Sequence, residues 1–250
     1  MSKIVSIHSY RGGTGKSNLT ANLAAALAGL GKRVAVVDTD IQSPGIHMLF
    51  GLSDMDELKT LNDYLWGRCA IRETAVDVTP TSLDGTGGKV WLVPSSLKAG
   101  EIAKVLREGY DVGLLNDGFR DLMDELELDH LLIDTHPGLN EETLLSIAIS
   151  DELVVLLRPD RQDFQGTAVT VEVARKLEVT QLVMVLNKVL PSVLERGFVA
   201  EVERAYGAPV IGVLPESSEM LELGSSALFS LRFPDHPLSR EMRRVAAQLV

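Results

Sequence analysis

The chain has 250 residues, a net charge of −11 and a hydrophobic fraction of 45%. This is the composition of a globular protein that buries a large core, and it excludes a disordered chain. The negative charge repels phosphate backbones and anionic lipids, so bulk electrostatics gives no support to nucleic-acid or membrane binding. Because Cys69 is the only cysteine, the chain cannot form an internal disulfide. We expect a cytoplasmic protein.

Short runs rich in valine, leucine and isoleucine alternate with helical patterns along the chain. Nearly continuous hydrophobicity suits strands that are covered on both faces. The predicted strands are Lys3–His8, Arg33–Asp38, Val90–Val93, His130–Asp134, Glu152–Leu157, Leu182–Asn187 and Val210–Leu214. The predicted helices are Ser17–Leu30, Ile102–Leu106, Phe119–Leu126, Glu141–Ile149, Thr167–Leu177 and Val193–Tyr206. This alternation predicts one α/β domain over residues 1–250, with a doubly wound, mainly parallel sheet flanked by helices.

Two further segments are assigned by their composition. The run Asp84-Gly85-Thr86-Gly87-Gly88 is typical of a surface turn before the strand at Val90. The C-terminal segment Leu238–Val250 has its apolar residues on one face. A basic amphipathic helix can bind membranes, but the apolar face of this segment is thin and has no aromatic residue. We therefore predict a last helix that packs on the domain.

The first predicted strand is followed by Arg11-Gly12-Gly13-Thr14-Gly15-Lys16-Ser17 and then at once by a helix. Glycines allow positive φ and bring backbone N–H groups close to phosphate oxygens. The N-terminus of the helix adds the positive end of its dipole. Lys16 places a cation on the β- and γ-phosphates, and Ser17 offers a hydroxyl to magnesium. The strand–loop–helix context therefore predicts a P-loop that binds a nucleoside triphosphate and Mg²⁺.

This loop resembles the deviant phosphate loop of the MinD/ParA family of ATPases, in which a basic residue, usually lysine, precedes the two glycines. Further motifs extend the resemblance over most of the chain, in the family's order: Asp38-Thr39-Asp40, Leu132-Ile133-Asp134-Thr135-His136-Pro137-Gly138, Asn187-Lys188 and Leu214-Pro215-Glu216. The resemblance implies an Mg-dependent ATPase that forms an ATP-dependent homodimer and answers to a stimulating or cargo protein. It also implies that Asn187 reads the adenine edge and that the stretch after Pro215 lines the base.

Carboxylates at the carboxyl ends of buried parallel strands lie beside the phosphate loop, where open sheets bind ligands. Asp134 is placed to act as an outer ligand that holds magnesium through a water molecule. Asp38 would support the water and side chains around the metal. Asp40, just past the strand end, is placed to orient or activate the attacking water. Simpler interpretations stay open: Asp38 could cap the following turn, and Asn187 could be a turn residue.

Arg11 is where the sequence departs from the family pattern. Arginine keeps the charge of lysine but replaces a compact ammonium with a wider planar fork. We predict that Arg11 acts in catalysis by contacting phosphates of the neighbouring subunit. The alternative is a solvated loop arginine.

Several questions stay open at the level of sequence. The segment Arg158–Asp163 follows a predicted strand and is either a contact site or a solvated loop. His8 and His136 flank the presumed site, but they lack the third ligand of a zinc site. The alternative functions are a membrane-associated division regulator, a carrier of metal clusters and a nucleotide-binding module with little hydrolysis. The single cysteine, Cys69, argues against the carrier. The cargo is DNA, division machinery or a protein assembly, and the acidity of the chain disfavours nonspecific DNA binding.

Overall fold

A computed structural model describes residues 2–194 and 197–250 of the chain. Its strands are β1 (Lys3–His8), β2 (Arg33–Asp38), β3 (Val76–Asp77), β4 (Lys89–Val93), β5 (His130–Asp134), β6 (Glu152–Leu157), β7 (Gln181–Val189) and β8 (Val210–Pro215). They form one eight-stranded sheet in the order β3-β4-β2-β5-β1-β6-β7-β8. Among the strands of the described residues, β3 alone is antiparallel to its neighbour. The prediction of a doubly wound, mainly parallel sheet is confirmed.

Helices connect the strands and cover both faces of the sheet. They are α1 (Lys16–Gly29), α2 (Ile46–Leu49), α3 (Leu61–Leu65), α4 (Ala99–Glu108), α5 (Val112–Glu125), α6 (Glu141–Ala148), α7 (Arg161–Lys176), α8 (Pro191–Leu194), α9 (Phe198–Tyr206), α10 (Ser218–Leu223), α11 (Phe229–Arg232) and α12 (Pro237–Gln248). Within the two described ranges, none of these helices has the length and apolar character needed to cross a membrane.

Each central strand contributes side chains to two cores. In β2, Val34 and Val36 pack in the layer that contains α1 and α12, whereas Ala35 and Val37 pack in the layer that contains α3 and α5. Because successive side chains of a strand point to opposite faces, a strand buried on both faces needs apolar residues at every position. This explains the continuous hydrophobic runs in the sequence.

The element boundaries differ most from the sequence predictions at three helical segments. The single helix predicted over Val193–Tyr206 is wrong, because α8 ends at Leu194 and α9 begins at Phe198, after Gly197 at a φ of 74°. Residues 195 and 196 of that prediction lie outside the described part of the chain. Helix α7 begins six residues before its predicted start, because the Asp160 side chain accepts the free N–H groups of Gln162 and Asp163. The same kind of cap, from Asp111, starts α5 at Val112.

The C-terminal helix packs on the domain, as predicted. Met242, Val245 and Ala246 of α12, and Leu249 directly after it, are buried in the core that α1 and β8 share. The contact is close, since a Cβ at Gly212 of β8 would lie 2.3 Å from a methyl group of Val245. The apolar face of α12 is therefore part of the core.

We expect Met242→Ala to lower the free energy of unfolding by about 2–5 kcal/mol, because it leaves a cavity between α12 and α1. Urea unfolding followed by circular dichroism measures this change. Arg240→Ala, on the exposed face of the same helix, is the matched control and should change stability by less than about 0.5 kcal/mol. Equal effects of the two substitutions would contradict the packing of α12.

Candidate active site

The loop between β1 and α1 turns back on itself at two glycines. Gly13 has a φ of 76°, and Gly15, which precedes the first turn of α1, has a φ of 95°. Both values lie in the left-handed region, which favours glycine. The free N–H groups at the start of α1 therefore open toward the carboxyl edge of the sheet, which is the arrangement that binds anions.

Lys16 is buried against a carboxylate. Its Nζ lies 2.8 Å from Oδ1 of Asp134, and the hydroxyl of Thr20 donates to the same oxygen at 3.3 Å. Asp134 at the end of β5 lies opposite Asp38 at the end of β2 in the strand register. Burial raises the pKa of Asp38 well above its ordinary value, the Asp134 carboxylate adds to the rise, and Lys16 opposes it. The strand ends thus bring together one cation and two carboxylates.

Asp40 lies at the rim of this cluster. Its backbone N–H donates to Oδ1 of Asp38 at 3.1 Å, so Asp38 does cap the following turn, and Asp40 Oδ1 accepts the N–H of Ser43 at 3.2 Å. The Nε2 atom of His136 lies 3.8 Å from the same Asp40 oxygen. Burial raises the pKa of Asp40, which makes its carboxylate a stronger base than an exposed aspartate.

The cluster has buried oxygen atoms that the protein does not satisfy. Among the described residues, Oδ2 of Asp38, Oδ2 of Asp134 and Oγ1 of Thr14 are buried without a hydrogen-bond partner. Unpaired buried polar atoms are costly, and oxygen ligands are those that Mg²⁺ prefers. No three His, Cys, Asp or Glu side chains converge as a metal site within residues 2–194 and 197–250. Magnesium would therefore take its remaining ligands from the Ser17 hydroxyl, phosphate and water, and the residues present fit this arrangement.

Two adjoining cavities follow the loop. One, of about 290 Å³, is lined by the loop together with Asp38, Asp40 and Pro137. The other, also of about 290 Å³, is lined by Asn187, Pro215 and several apolar side chains of α10 and α12. Gly13, Gly15, Asn18 and Ser225 line both cavities. Their chemistry suits the phosphates in the first cavity and a base in the second.

A larger cavity of about 460 Å³ lies away from the loop, between the segment 53–63 and the start of α4. Its guanidinium, Arg68, is already paired with Asp63 at 3.1 Å and with Glu101 at 2.8 Å. The guanidinium of this cavity is therefore already paired with two carboxylates, and we place the active site at the loop, where Lys16 meets the carboxylates of the strand ends.

The structure places Asn187 directly on the phosphate loop. Its Nδ2 donates to the carbonyl of Thr14 at 2.7 Å, and its Oδ1 accepts the N–H of Lys188 at 2.9 Å. Pro215 ends β8 and lines the same cavity. Their roles toward adenine stay predictions.

Arg11 has ion-pair partners in its own chain. A guanidinium nitrogen lies 3.7 Å from Asp160 and 3.8 Å from Asp163, both at the start of α7. Arg158 pairs with the same two carboxylates, at 3.1 Å and 3.2 Å. The segment Arg158–Asp163 thus includes the start of α7, and two of its carboxylates pair with Arg11. The sequence alone had left its role open. Asp163 was missed because its burial depends on where α7 begins.

Sequence reasoning did not identify Thr20, and it gave Lys188 and His8 no role in supporting the site. Lys188 donates from Nζ to the carbonyl of Gly13 at 3.1 Å, and Thr20 contacts Asp134. His8 is fully buried, with Nδ1 2.8 Å from the Thr135 hydroxyl. Burial lowers the pKa of His8 to about 3, with the nearby Lys16 charge as the second cause.

Comparison with known proteins agrees with this fold. Residues 5–230 match the CobQ/CobB/MinD/ParA nucleotide binding domain, so the chain belongs to this family, and at the level of the family it is a MinD/ParA-type ATPase. An uncharacterized ATP-binding protein of Methanocaldococcus jannaschii is 29% identical over 100% of this chain and 88% of its own.

Solved MinD proteins share the fold. The MinD cell division protein of Aquifex aeolicus superposes with a TM-score of 0.82 at 21% identity, covering 99% of this chain and 96% of that one. The same TM-score is found for its MinC:MinD complex, with 95% of that chain covered. The septum site-determining protein MinD of Pyrococcus horikoshii, complexed with Mg-ADP, gives 0.80 at 22% identity, covering 100% and 96%. The predicted family is confirmed.

The burial of His8 generates a pH-dependence prediction. When folded, His8 stays neutral down to a pKa of about 3, whereas in the unfolded chain it takes up a proton near its ordinary value of 6.5. Acid therefore favours the unfolded state, and this group alone should lower the free energy of unfolding by about 1.6 kcal/mol between pH 6.5 and 5. Urea titrations across this range should show that His8→Asn, which keeps a polar group toward Thr135, lacks this part of the decline. An unchanged slope would contradict the burial of a neutral His8.

Proposed function

We propose that the protein is an ATP-hydrolysing dimerisation switch of the MinD/ParA type. In the proposed cycle, Mg-ATP closes two subunits into a homodimer, the dimer recruits a partner, and hydrolysis releases it. The observation that carries the proposal is the buried cluster of Lys16, Asp38 and Asp134 below a glycine loop, with Asp40 at its rim. We treat the chain as one ATPase domain, because one sheet runs through the described residues.

The loop binds the phosphates in this proposal. Backbone N–H groups of the segment from Gly12 to Ser17 surround the β-phosphate, aided by the N-terminus of α1. Lys16 exchanges its contact with Asp134 for phosphate oxygens, which keeps a buried cation paired in both states. Asn187 and Pro215 line the base.

The carboxylates divide the remaining work. Magnesium, held by the Ser17 hydroxyl and, through water, by Asp134 with Asp38 behind it, would neutralise phosphate charge. Asp40 accepts a hydrogen bond from the attacking water and orients it, and its raised pKa favours this role. Arg11 contributes a positive charge to the phosphates of the neighbouring subunit.

The partner is a stimulating or cargo protein, and the cycle positions or partitions a cellular cargo in the cytoplasm, where ATP is available. The Aquifex aeolicus MinD solved in complex with MinC supports a protein partner. The net charge of −11 supports protein over nonspecific DNA cargo. A membrane-bound regulator is less favoured, because the apolar face of α12 is buried.

The proposal is tested with Asp40→Ala. We expect this variant to bind Mg-ATP and to hydrolyse it about 10²–10⁴ times more slowly than wild type, because the base is lost. Its solution mass, measured by light scattering after gel filtration, should double in Mg-ATP and stay that of a monomer in Mg-ADP. Lys16→Ala is the control that should lose nucleotide binding and stay monomeric. An unchanged mass of Asp40→Ala despite measured ATP binding would favour a binding module over the dimer switch.

The role of Arg11 makes a separate prediction. Arg11→Ala should keep ATP binding but reduce the steady-state hydrolysis rate by about 10-fold or more, because a charge on the transferred phosphoryl group is lost. The matched control is Arg161→Ala, which removes an exposed arginine from the start of α7. Arg11→Ala with wild-type dimerisation and hydrolysis would rule out a role in the neighbouring subunit.

A further inference from the structure

Two consecutive side chains at the end of β7 hold carbonyl groups of the phosphate loop. Asn187 Nδ2 donates to the carbonyl of Thr14 at 2.7 Å, and Lys188 Nζ donates to the carbonyl of Gly13 at 3.1 Å. Asn187 Oδ1 accepts the N–H of Lys188 at 2.9 Å, which fixes the orientation of the amide. We call Asn187 and Lys188 the β7 latch.

The planarity of the peptide bond gives these contacts a consequence for phosphate binding. In a trans peptide unit the C=O and N–H groups point in opposite directions. The carbonyl of Gly13 shares its peptide unit with the N–H of Thr14, and the carbonyl of Thr14 shares its unit with the N–H of Gly15. Holding both carbonyls toward β7 therefore turns both N–H groups away from β7.

The side away from β7 is the side of the phosphate cavity. In the sheet order, β7 lies on one side of β1, whereas β2 and β5, which end in Asp38 and Asp134, lie on the other. Within residues 2–194 and 197–250, the N–H groups of Thr14 and Gly15 donate to no protein acceptor. The latch thus leaves two donors directed to where an anion would bind.

The backbone of β7 is irregular at the two latch residues. Successive side chains of a regular strand point to opposite faces, so two neighbours could not both reach one loop. Here the pairing of β7 with β8 shifts between Leu186 and Val189, and Lys188 has a φ of 56°. Positive φ is uncommon for a residue with a side chain, and such strain persists where the surroundings require it. The irregularity lets both side chains reach the loop.

The loop approaches the latch more closely than a side chain would allow. A Cβ at Gly15 would lie 2.5 Å from Nδ2 of Asn187. Gly15 is therefore required by two constraints, its φ of 95° and its contact with the latch.

We propose that Asn187 and Lys188 are positioning residues that hold the phosphate loop in its anion-binding conformation, independently of the base. This inference rests on the proposed nucleotide binding and gives Asn187 a role besides any contact with adenine. It predicts that loss of the latch weakens every ligand that carries a triphosphate, including one that has no base.

The test compares the affinities of Mg-ATP, Mg-GTP and inorganic tripolyphosphate with Mg²⁺, measured by isothermal titration calorimetry. Asn187→Ala and Lys188→Met should each weaken all three ligands by a similar factor, about five-fold for one lost hydrogen bond. Lys188→Arg should restore most of the affinity. Leu221→Ser, on the exposed wall of the base cavity, is the control and should weaken ATP without changing tripolyphosphate binding.

A loss confined to ATP in the latch variants, with tripolyphosphate unaffected, would overturn the proposal and leave Asn187 as a base-reading residue. Unchanged affinities for all three ligands would overturn it as well, as would a wild-type protein that binds ATP but not tripolyphosphate. If Asn187→Ala does not fold in a thermal melt, Lys188→Met decides, because its ammonium is on the exposed side of the loop. A wild-type protein that binds neither nucleotide nor tripolyphosphate would instead refute the proposed function itself.

Discussion

The structure depends on the burial of three charged groups where the central strands end. Lys16 is 6% exposed, and Asp38 and Asp134 are each 1% exposed. Removing charges from water is costly, and the contact between Lys16 and Asp134 offsets the cost for that pair alone. Asp38 has no ion pair of its own, and its pKa rises because it is buried and lies near the Asp134 carboxylate. In the proposed function, Mg²⁺ bound to a phosphate would supply both a further cation for the carboxylates and an anion for Lys16.

The parallel sheet explains how these residues meet although they are far apart in the sequence. The loop follows β1, and Asp38, Asp134, Asn187 and Pro215 stand at or near the ends of β2, β5, β7 and β8. Since parallel strands place their carboxyl ends at one edge, every such residue faces the same rim. The order of the strands then sorts them, with the acidic strand ends on one side of β1 and the strand ends that line the base cavity on the other.

The sequence predicts the strands and the residues at their ends, but not which of these residues come into contact. The continuous apolar runs predicted seven strands, and the glycine–lysine–serine pattern predicted the loop, because both signals are local. The edge strand β3 has only two residues and carries no such signal. The start of α7 depends on a capping side chain, and the contacts of Arg11 and Lys188 depend on where distant elements pack. Local pattern therefore gives the strand ends, whereas tertiary packing decides which of their side chains touch.

The contacts of Arg11 within its own chain affect how readily Arg11 could move to a second subunit in the proposed cycle. Its guanidinium cannot pair with Asp160 and Asp163 of its own chain and also reach phosphates of a second subunit, so the proposed cycle requires the first contacts to break. Both lie beyond hydrogen-bonding distance, at 3.7 Å and 3.8 Å, and the side chain is 39% exposed. The exposed pair between Arg11 and Asp160 contributes about 0–1 kcal/mol, so this contact opposes the exchange little. Asp163 would not be left alone, because Arg158 donates to it through both its backbone N–H and its Nε. The second arginine would thus keep the buried carboxylate paired in either state of the proposed cycle, so that breaking the Arg11 contacts would leave no buried charge unpaired.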